Sequence, residues 1–294
     1  MSDKYNNLSI VIPARNEAES LEKLLPLLKQ KYPGSQIIVV NDGSTDNTAG
    51  ICEQYGVVLF SHPYSMGNGA SIKSGARTAS GEVIVFMDAD GQHDPDDIDK
   101  LLNKIEEGYD MVVGARTLDS HASLPRRFAN QIYNKLASFM TGYKIEDLTS
   151  GFRAAKRNKF IKFLYLLPNG FSYPTTITMA FFRSGFGVAY VGIRASDRTG
   201  KSHIKVLRDG VRFFVIILKI GALFSPMRLF LPVSALLFMV GICYYIYTYI
   251  LFERFTNMSA LIILASLITF LMGIMAEFIS SLHYKEIEEE ENKS

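Results

Sequence analysis

Val83-Ile84-Val85-Phe86-Met87-Asp88-Ala89-Asp90-Gly91-Gln92 begins as an unbroken apolar run and ends in a polar Asp-x-Asp turn. Five apolar residues in succession, β-branched at their start, predict a buried strand whose last side chains hand over to something chemical. The same grammar repeats on the amino-terminal side. Runs at 9–12, 36–40, 57–60, 83–87 and 111–113 predict strands, and helical patterns at 17–28, 46–55, 72–79 and 95–107 lie between them. That alternation is the mark of βαβ units and predicts an α/β fold, a mainly parallel sheet with flanking helices. Three strands run into polar clusters: Pro13-Ala14-Arg15-Asn16-Glu17, Asn41-Asp42-Gly43-Ser44 and Asp88-Ala89-Asp90-Gly91-Gln92. Ligands of open α/β sheets bind at strand carboxyl ends, so the three clusters predict one site.

Each cluster has a chemical reading and a plainer one. Asp88 and Asp90 stand two apart after a strand, project the same way and suit one hard divalent ion, Mg²⁺ or Mn²⁺, shared with substrate phosphates. Gln92 offers a carbonyl oxygen or a hold on a metal-bound water. The plainer reading is an Asp-rich turn. Asp94, before Pro95, reads as a cap for the next helix. Asp42 is a candidate acceptor for a nucleobase N–H or simply a turn residue, and Asp46 reads as a cap. Gly67-Asn68-Gly69-Ala70 precedes a helix, so its amides face a phosphate or make a tight turn; it matches neither a Walker loop nor a dinucleotide fingerprint. The stretch Glu146-Asp147-Leu148-Thr149-Ser150-Gly151-Phe152-Arg153 reads as a loop between helical patterns, with Asp147 an orienting group or base, against hydrogen bonding internal to the loop. Arg116, Arg126 and Arg127 offer guanidinium groups for bidentate phosphate contacts.

Composition bounds these readings. At about 150 residues per domain, 294 residues predict about two units. An apolar content of 48% with 20% charged residues excludes a disordered chain. Thirty-one Lys and Arg against 29 Asp and Glu leave +2, which excludes a whole-chain polyanion binder, so no nucleic acid partner is expected. Two cysteines far apart give neither a disulfide framework nor a zinc site and fit a reducing compartment.

The apolar residues are unevenly spread. Neither 229–252 nor 258–276 holds a charge, and each is long enough to cross a hydrocarbon core of about 30 Å. They predict a two-span hairpin joined by Glu253-Arg254-Phe255-Thr256-Asn257, with Pro226 and Pro232 punctuating its start. Ahead of it, Lys205, Arg208, Arg212 and Lys219 fall on one helical face, suited to lipid phosphates at the bilayer interface or to covering the soluble domain. The cations before 229 place that side in the cytoplasm, and residues 1–7 hold no apolar stretch long enough for a signal peptide. Glu277, near the end of the second span, reads as a solvated or paired carboxylate. The expected organisation is a cytoplasmic domain at 1–204, an interfacial helix at 205–228, a membrane hairpin at 229–285 and an acidic cytoplasmic tail at 286–294. This describes a multi-pass protein of the cell membrane, in contact with membrane lipids and compatible with homo-oligomerisation through the spans.

Taken together, the chain resembles a family 2 glycosyltransferase of the GT-A type, similar to dolichol- or polyprenyl-phosphate sugar transferases. The resemblance rests on 9–17, 40–46, 67–75, 88–92, 148–153 and 198–202 in that order, followed by the hairpin. It implies a GT-A, Rossmann-like fold in which Pro13, Arg15, Glu17, Asp42, Asp88 and Ala89 hold the nucleotide sugar. It implies that Asp88, Asp90 and Gln92 hold the divalent ion, with Asp90 and Asp147 in the catalytic centre. Arg116, Arg126, Arg127, Arg198 and Ser202 would bind phosphates of donor or lipid acceptor. Two departures stand out: Arg198 lies one residue closer to Gly200 than the family pattern, with His203 at its last position, and Thr175-Thr176-Ile177-Thr178 replaces a Gln-x-Glu element. The chain has no tryptophan, so the Gln-x-x-Arg-Trp element of processive synthases is absent and a single transfer is expected. The implied reaction passes one sugar from a nucleotide sugar, UDP-hexose ahead of GDP-mannose, to polyprenyl phosphate with inversion. Competing readings are a GT-A transferase with a glycan or protein acceptor, and an idle nucleotide-sugar-binding scaffold.

Overall fold

The computed structural model describes residues 5–116, 124–170, 172–193, 215, 218–219, 221–222 and 225–291, with backbone alone at 124–130 and 282–291. The chain divides into two compact units, Met1–Lys135 with Lys144–Ile216 and Leu136–Tyr143 with Ile217–Ser294.

The first unit is built on one sheet. Its strands are β1 (Leu8–Ala14), β2 (Gln36–Asn41), β3 (Val58–Ser61), β4 (Val83–Phe86), β5 (Met111–Arg116), β6 (Arg153–Lys156) and β7 (Val188–Ile193). Their spatial order is β3-β2-β1-β4-β6-β5-β7. All neighbours pair in parallel except β6, which is antiparallel to both β4 and β5. Helices α1 (Ala18–Lys31), α2 (Thr48–Gln54), α3 (Asn68–Thr78) and α4 (Asp97–Glu106) join the first five strands. The helices dock because their apolar residues recur at helical spacing: Leu21, Leu24, Leu25 and Leu28 on α1, and Ile98, Leu101, Leu102 and Ile105 on α4, are all buried. β1, β2, β4 and β5 are buried on both faces, which explains their near-continuous apolar sequence. Pro13 is tolerated in β1 because pairing with β4 ends at Val11↔Phe86, so its missing N–H interrupts no ladder there.

β6 corrects the sequence reading. The stretch through Arg153 was expected to be loop between helices, yet Arg153-Ala154-Ala155-Lys156 forms a central strand. Because it runs antiparallel, its leading loop reaches the same sheet edge as the carboxyl ends of β1, β2, β4 and β5. Helix α5 (Leu124–Thr141), the short α6 (Arg157–Ile161) and α7 (Tyr173–Arg183) complete the described part, and α7 is buried along nearly its whole length.

In the second unit, α8 (Pro226–Phe252) and α9 (Asn257–Glu291) form the hairpin; Pro226–Phe252 and Asn257–Ser281 are long and apolar enough to cross a membrane. Pro226 opens α8 at its first turn, while Pro232 lies inside the helix rather than ending it. Glu253 takes a left-handed φ of 53° to turn the chain, and Thr256 bonds to the Ser259 amide at the start of α9. The helices approach closely at Gly241, whose Cβ would lie 2.9 Å from Ile263, and at Gly273 against Phe230. Ser266 Oγ donates to Ser234 O across the pair at 2.9 Å. Glu277 is paired, as expected: its Oε2 accepts the Met227 N–H at the start of α8. The acidic run 286–291 continues α9 as helix. Most of the expected interfacial segment 205–228, and the tail beyond 291, lie outside the described residues.

Candidate active site at the carboxyl edge of the sheet

The loops leaving β1 and β2 are laced together. Asn16 stands at a left-handed φ of 56°, donates its N–H to Ser44 Oγ, and accepts from the Thr45 amide through Oδ1 at 2.8 Å. The Glu17 amide donates to Thr48 Oγ1. Asp46 is indeed a cap, for two helices at once, accepting the Ala18 amide of α1 and the Thr48 amide of α2, each at 3.0 Å. This lacing leaves Arg15 exposed and Glu17 half-buried at the rim, while Pro13 is buried within β1.

Asp42 is more engaged than its sequence suggested. Its carboxylate lies 2.7 Å from His62 Nδ1 and accepts from Ser65 Oγ at 2.8 Å and from the amides of Met66 and Gly67 at 2.7 and 3.0 Å. His62 Nε2 in turn lies 2.9 Å from Ser74 Oγ on α3. Burial would raise the Asp42 pKa, but the His62 bond and the Met66, Ser65 and Gly67 donors outweigh it and hold the carboxyl below its usual range. Four donors match the lone-pair capacity of a carboxylate, so Asp42 organises the 62–67 loop in this conformation. Gly43, at φ +67°, is required beneath that loop, since a Cβ would lie 2.7 Å from Ser65 N.

The glycines opening α3 face protein rather than open space. Ala70 N–H donates to Asn169 O, and a Cβ at Gly69 would overlap the Pro168 carbonyl oxygen. Residues 68–70 are the first turn of α3 rather than a tight turn, and the glycines serve close backbone approach.

After β4, Asp88 keeps about a third of its side chain exposed, whereas Asp90 is buried and accepts the Gln92 amide at 3.2 Å. Ala89 between them is buried. His93 is buried, stacks on Phe152 at 4.8 Å and 13°, and brings Nε2 to 3.8 Å from Asp88 Oδ2. Among the described residues no group of three or more His, Cys, Asp or Glu gathers. Asp88, Asp90 and Gln92 could together offer two carboxylates and an amide carbonyl, all oxygen, a set suited to a hard divalent ion.

Arg116 ends β5, and Asp147 leads into β6. The guanidinium meets the carboxylate side-on, Nε to Oδ2 at 2.8 Å and Nη2 to Oδ1 at 3.0 Å. Asp147 also accepts the amides of Thr149 and Ser150 at 3.0 and 3.1 Å. Burial pushes its pKa up, but the bond and charge of Arg116 and the Thr149 amide prevail and keep it below the usual carboxylate range. Asn134 of α5 clasps the loop on both sides of Asp147, donating to Glu146 O and accepting the Leu148 amide. An acid so fully occupied orients Arg116 and has little capacity left as a base.

Sequence reasoning missed Arg153. It is completely buried and donates to Pro174 O at 3.3 Å, Thr178 Oγ1 at 3.2 Å and Ser150 O. The departure at 175–178 thus places a hydroxyl on a buried guanidinium. The side chains of Arg126 and Arg127 lie outside the described residues, as do Arg198 and Ser202; β7 ends at Ile193, paired with Arg116 at this edge.

Residues 225–282 match the GtrB C-terminal hairpin. Undecaprenyl-phosphate 4-deoxy-4-formamido-L-arabinose transferase of Proteus mirabilis is 34% identical over 169 residues, 53% of this chain and 51% of that protein, so the match spans about half of that relative's length. Dolichyl-phosphate hexose transferase of Haloferax volcanii is 27% identical over 74% of this chain and 94% of its own length. Among solved structures, glucosyl-3-phosphoglycerate synthase from Mycobacterium tuberculosis, in complex with Mn²⁺, UDP and glucosyl-3-phosphoglycerate, superposes with a TM-score of 0.60 at 19% identity, covering 73% of this chain and 80% of that one, a likeness of fold. With residues 9–164 matching the model for glycosyl transferase family 2, over strands β1 to β6, the chain belongs to that family.

Proposed function

We propose that this protein transfers one sugar from a nucleotide sugar to polyprenyl phosphate at the cytoplasmic face of the cell membrane, with inversion and with Mg²⁺ or Mn²⁺. A UDP-hexose is the favoured donor and GDP-mannose the runner-up. The observation that carries the reading is the shared sheet edge: Asp88 and Asp90 at the end of β4 and the Arg116–Asp147 pair at the ends of β5 and β6. The apolar hairpin and the polyprenyl- and dolichyl-phosphate relatives support a lipid acceptor.

Asp88 and Asp90, with Gln92, would hold the ion, which when bound supplies charge stabilisation to the departing diphosphate. Arg15 and Glu17 at the rim would hold the nucleotide, with Asp42 contributing through the 62–67 loop that its carboxylate organises. A polyprenyl phosphate is already anionic near neutral pH, so its oxygen needs positioning more than deprotonation. Arg116, fixed by Asp147 and Thr149, would offer that phosphate its remaining Nη1 donors. Arg126, Arg127, Arg198 and Ser202 are proposed to complete the phosphate contacts.

The test uses purified full-length protein with UDP-glucose, UDP-galactose or GDP-mannose, a short-chain polyprenyl phosphate, and Mn²⁺ or EDTA. The expected product is a lipid-phosphate-linked sugar of inverted anomeric configuration, absent with EDTA. Transfer to a glycan or protein with none to lipid, retained configuration, or full turnover in EDTA would each overturn the corresponding part.

A further inference from the structure

The residues that lead into β6 form a support beside Asp88. Gly151 has so little room that a Cβ there would lie 3.0 Å from Asp88 Oδ2 and 3.4 Å from Tyr173 Oη. Tyr173 donates to the Gly151 carbonyl at 3.2 Å. Phe152, wholly buried, stacks on the His93 ring that flanks the same Asp88 oxygen. Arg153 clamps Ser150 O on one side and Pro174 O with Thr178 Oγ1 of α7 on the other, and its guanidinium lies 5.7 Å from the Tyr173 ring. Three consecutive residues therefore set the floor, the side wall and the anchorage of one carboxylate.

Packing alone does not account for the arginine. Burying a guanidinium costs several kcal/mol before its hydrogen bonds are counted, and an apolar side chain would fill the same space at less cost. No ion pair is made by Arg153 with a carboxylate among the described residues; its Nη donors go to two carbonyls, a hydroxyl and, at 3.9 Å, the Met111 sulfur. Such bridging uses the rigid fork of arginine, which a lysine lacks. Burial pushes the Arg153 pKa below its usual value against Tyr173, Tyr190, Asp147 and Asp88, which act to raise it, so the buried guanidinium sits in the field of the site it supports.

We propose that Arg153 is a positioning residue that, through the Ser150-Gly151 backbone and Tyr173, fixes the Asp88 carboxylate for a divalent cation. This rests on the reading of Asp88 as a cation ligand given above. Supporting residues of this kind typically alter metal affinity by about 10- to 100-fold.

The experiment measures Mn²⁺ uptake in the presence of UDP by the loss of the free-Mn²⁺ electron paramagnetic resonance signal, using the full chain in detergent. Wild type is compared with Gly151→Ala, Arg153→Lys and Tyr173→Phe, and the thermal midpoint without Mn²⁺ is recorded for each. Gly151→Ala and Arg153→Lys are expected to weaken Mn²⁺ binding by about tenfold or more, Tyr173→Phe by less, with Gly151→Ala leaving the metal-free midpoint near wild type. If Arg153→Lys does not fold, Gly151→Ala decides. Wild-type Mn²⁺ affinity in both folded variants overturns the positioning role. A wild type that takes up no Mn²⁺ with UDP or GDP instead overturns the metal reading beneath it.

Discussion

Arg116 and Asp147 face each other side-on, two parallel N–H···O bonds of 2.8 and 3.0 Å joining the end of β5 to the loop that starts β6. The pair fixes a planar cation at the sheet edge, and its carboxylate also takes the amides of Thr149 and Ser150. Charge-assisted bonds of this type contribute about 1.5–3 kcal/mol each, or about 10- to 100-fold. Asp147→Asn presents an amide N–H₂ where Arg116 needs an acceptor. It is expected to raise the KM for polyprenyl phosphate by about tenfold or more, with donor KM within about twofold. Arg116→Lys should act likewise, because an ammonium cannot make the fork. An Asp147→Asn enzyme with wild-type acceptor KM defeats the orienting role.

The acid limb of stability follows from the same carboxylate and two others. Burial opposes ionisation of Asp147, Asp42 and Asp110, yet Arg116, the His62 cluster and Lys156 respectively prevail, and all three pKa values lie below the usual one. A depressed folded-state pKa contributes stability that is present above the unfolded value, about 3.9, and is lost as pH falls toward the folded value. The thermal midpoint should therefore vary little on this account from pH 7 to about 5 and drop below about pH 4. Asp110→Asn, which removes the partner of Lys156 and Lys159, should lower the midpoint at neutral pH and flatten the acid drop. An acid slope unchanged by that substitution would show that these pairs do not govern it.

Much of this edge was legible because parallel sheets expose ligand sites where strands end, and 13–17, 41–46 and 88–92 each follow an apolar run. β6 was not, because Arg153-Ala154-Ala155-Lys156 lacks β-branched residues and owes its strand state to pairing with β4 and β5 on both sides. The four donors on Asp42 escaped for a related reason. His62, Ser65, Met66 and Gly67 lie 20 to 25 residues away, and nothing local marks them. Arginine in a polar loop reads as a phosphate ligand; only the fold shows Arg153 without solvent contact.

Gly43 offers a test of how the 62–67 loop is seated. Its φ of +67° disfavours any side chain, and a Cβ would press on Tyr64 and Ser65 backbone at 2.7 Å. Gly43→Ala is expected to cost about 1–2 kcal/mol for the left-handed conformation alone, and to displace the loop that Asp42 holds. Urea titration should show the lower midpoint, and donor KM should rise while acceptor KM stays within about twofold. A stable variant with unchanged donor KM would separate this loop from nucleotide binding.

In the hairpin, Glu277 and Met227 set hydrogen bonding against charge. Glu277 Oε2 accepts the Met227 N–H at 3.2 Å, one of the amides at the start of α8 with no acceptor inside its own helix. Loss of such an acceptor typically costs about 1 kcal/mol, and a negative charge near a helix amino terminus adds about 0.3–1 kcal/mol. Glu277→Gln keeps an oxygen for the amide and removes the charge, whereas Glu277→Ala removes both. If the hydrogen bond dominates, the detergent-solubilised protein should unfold at a clearly lower temperature for the alanine variant and close to wild type for the glutamine variant. Equal losses in the two variants would assign the effect to charge. No loss in either would mean that water satisfies the Met227 amide as well as the carboxylate does.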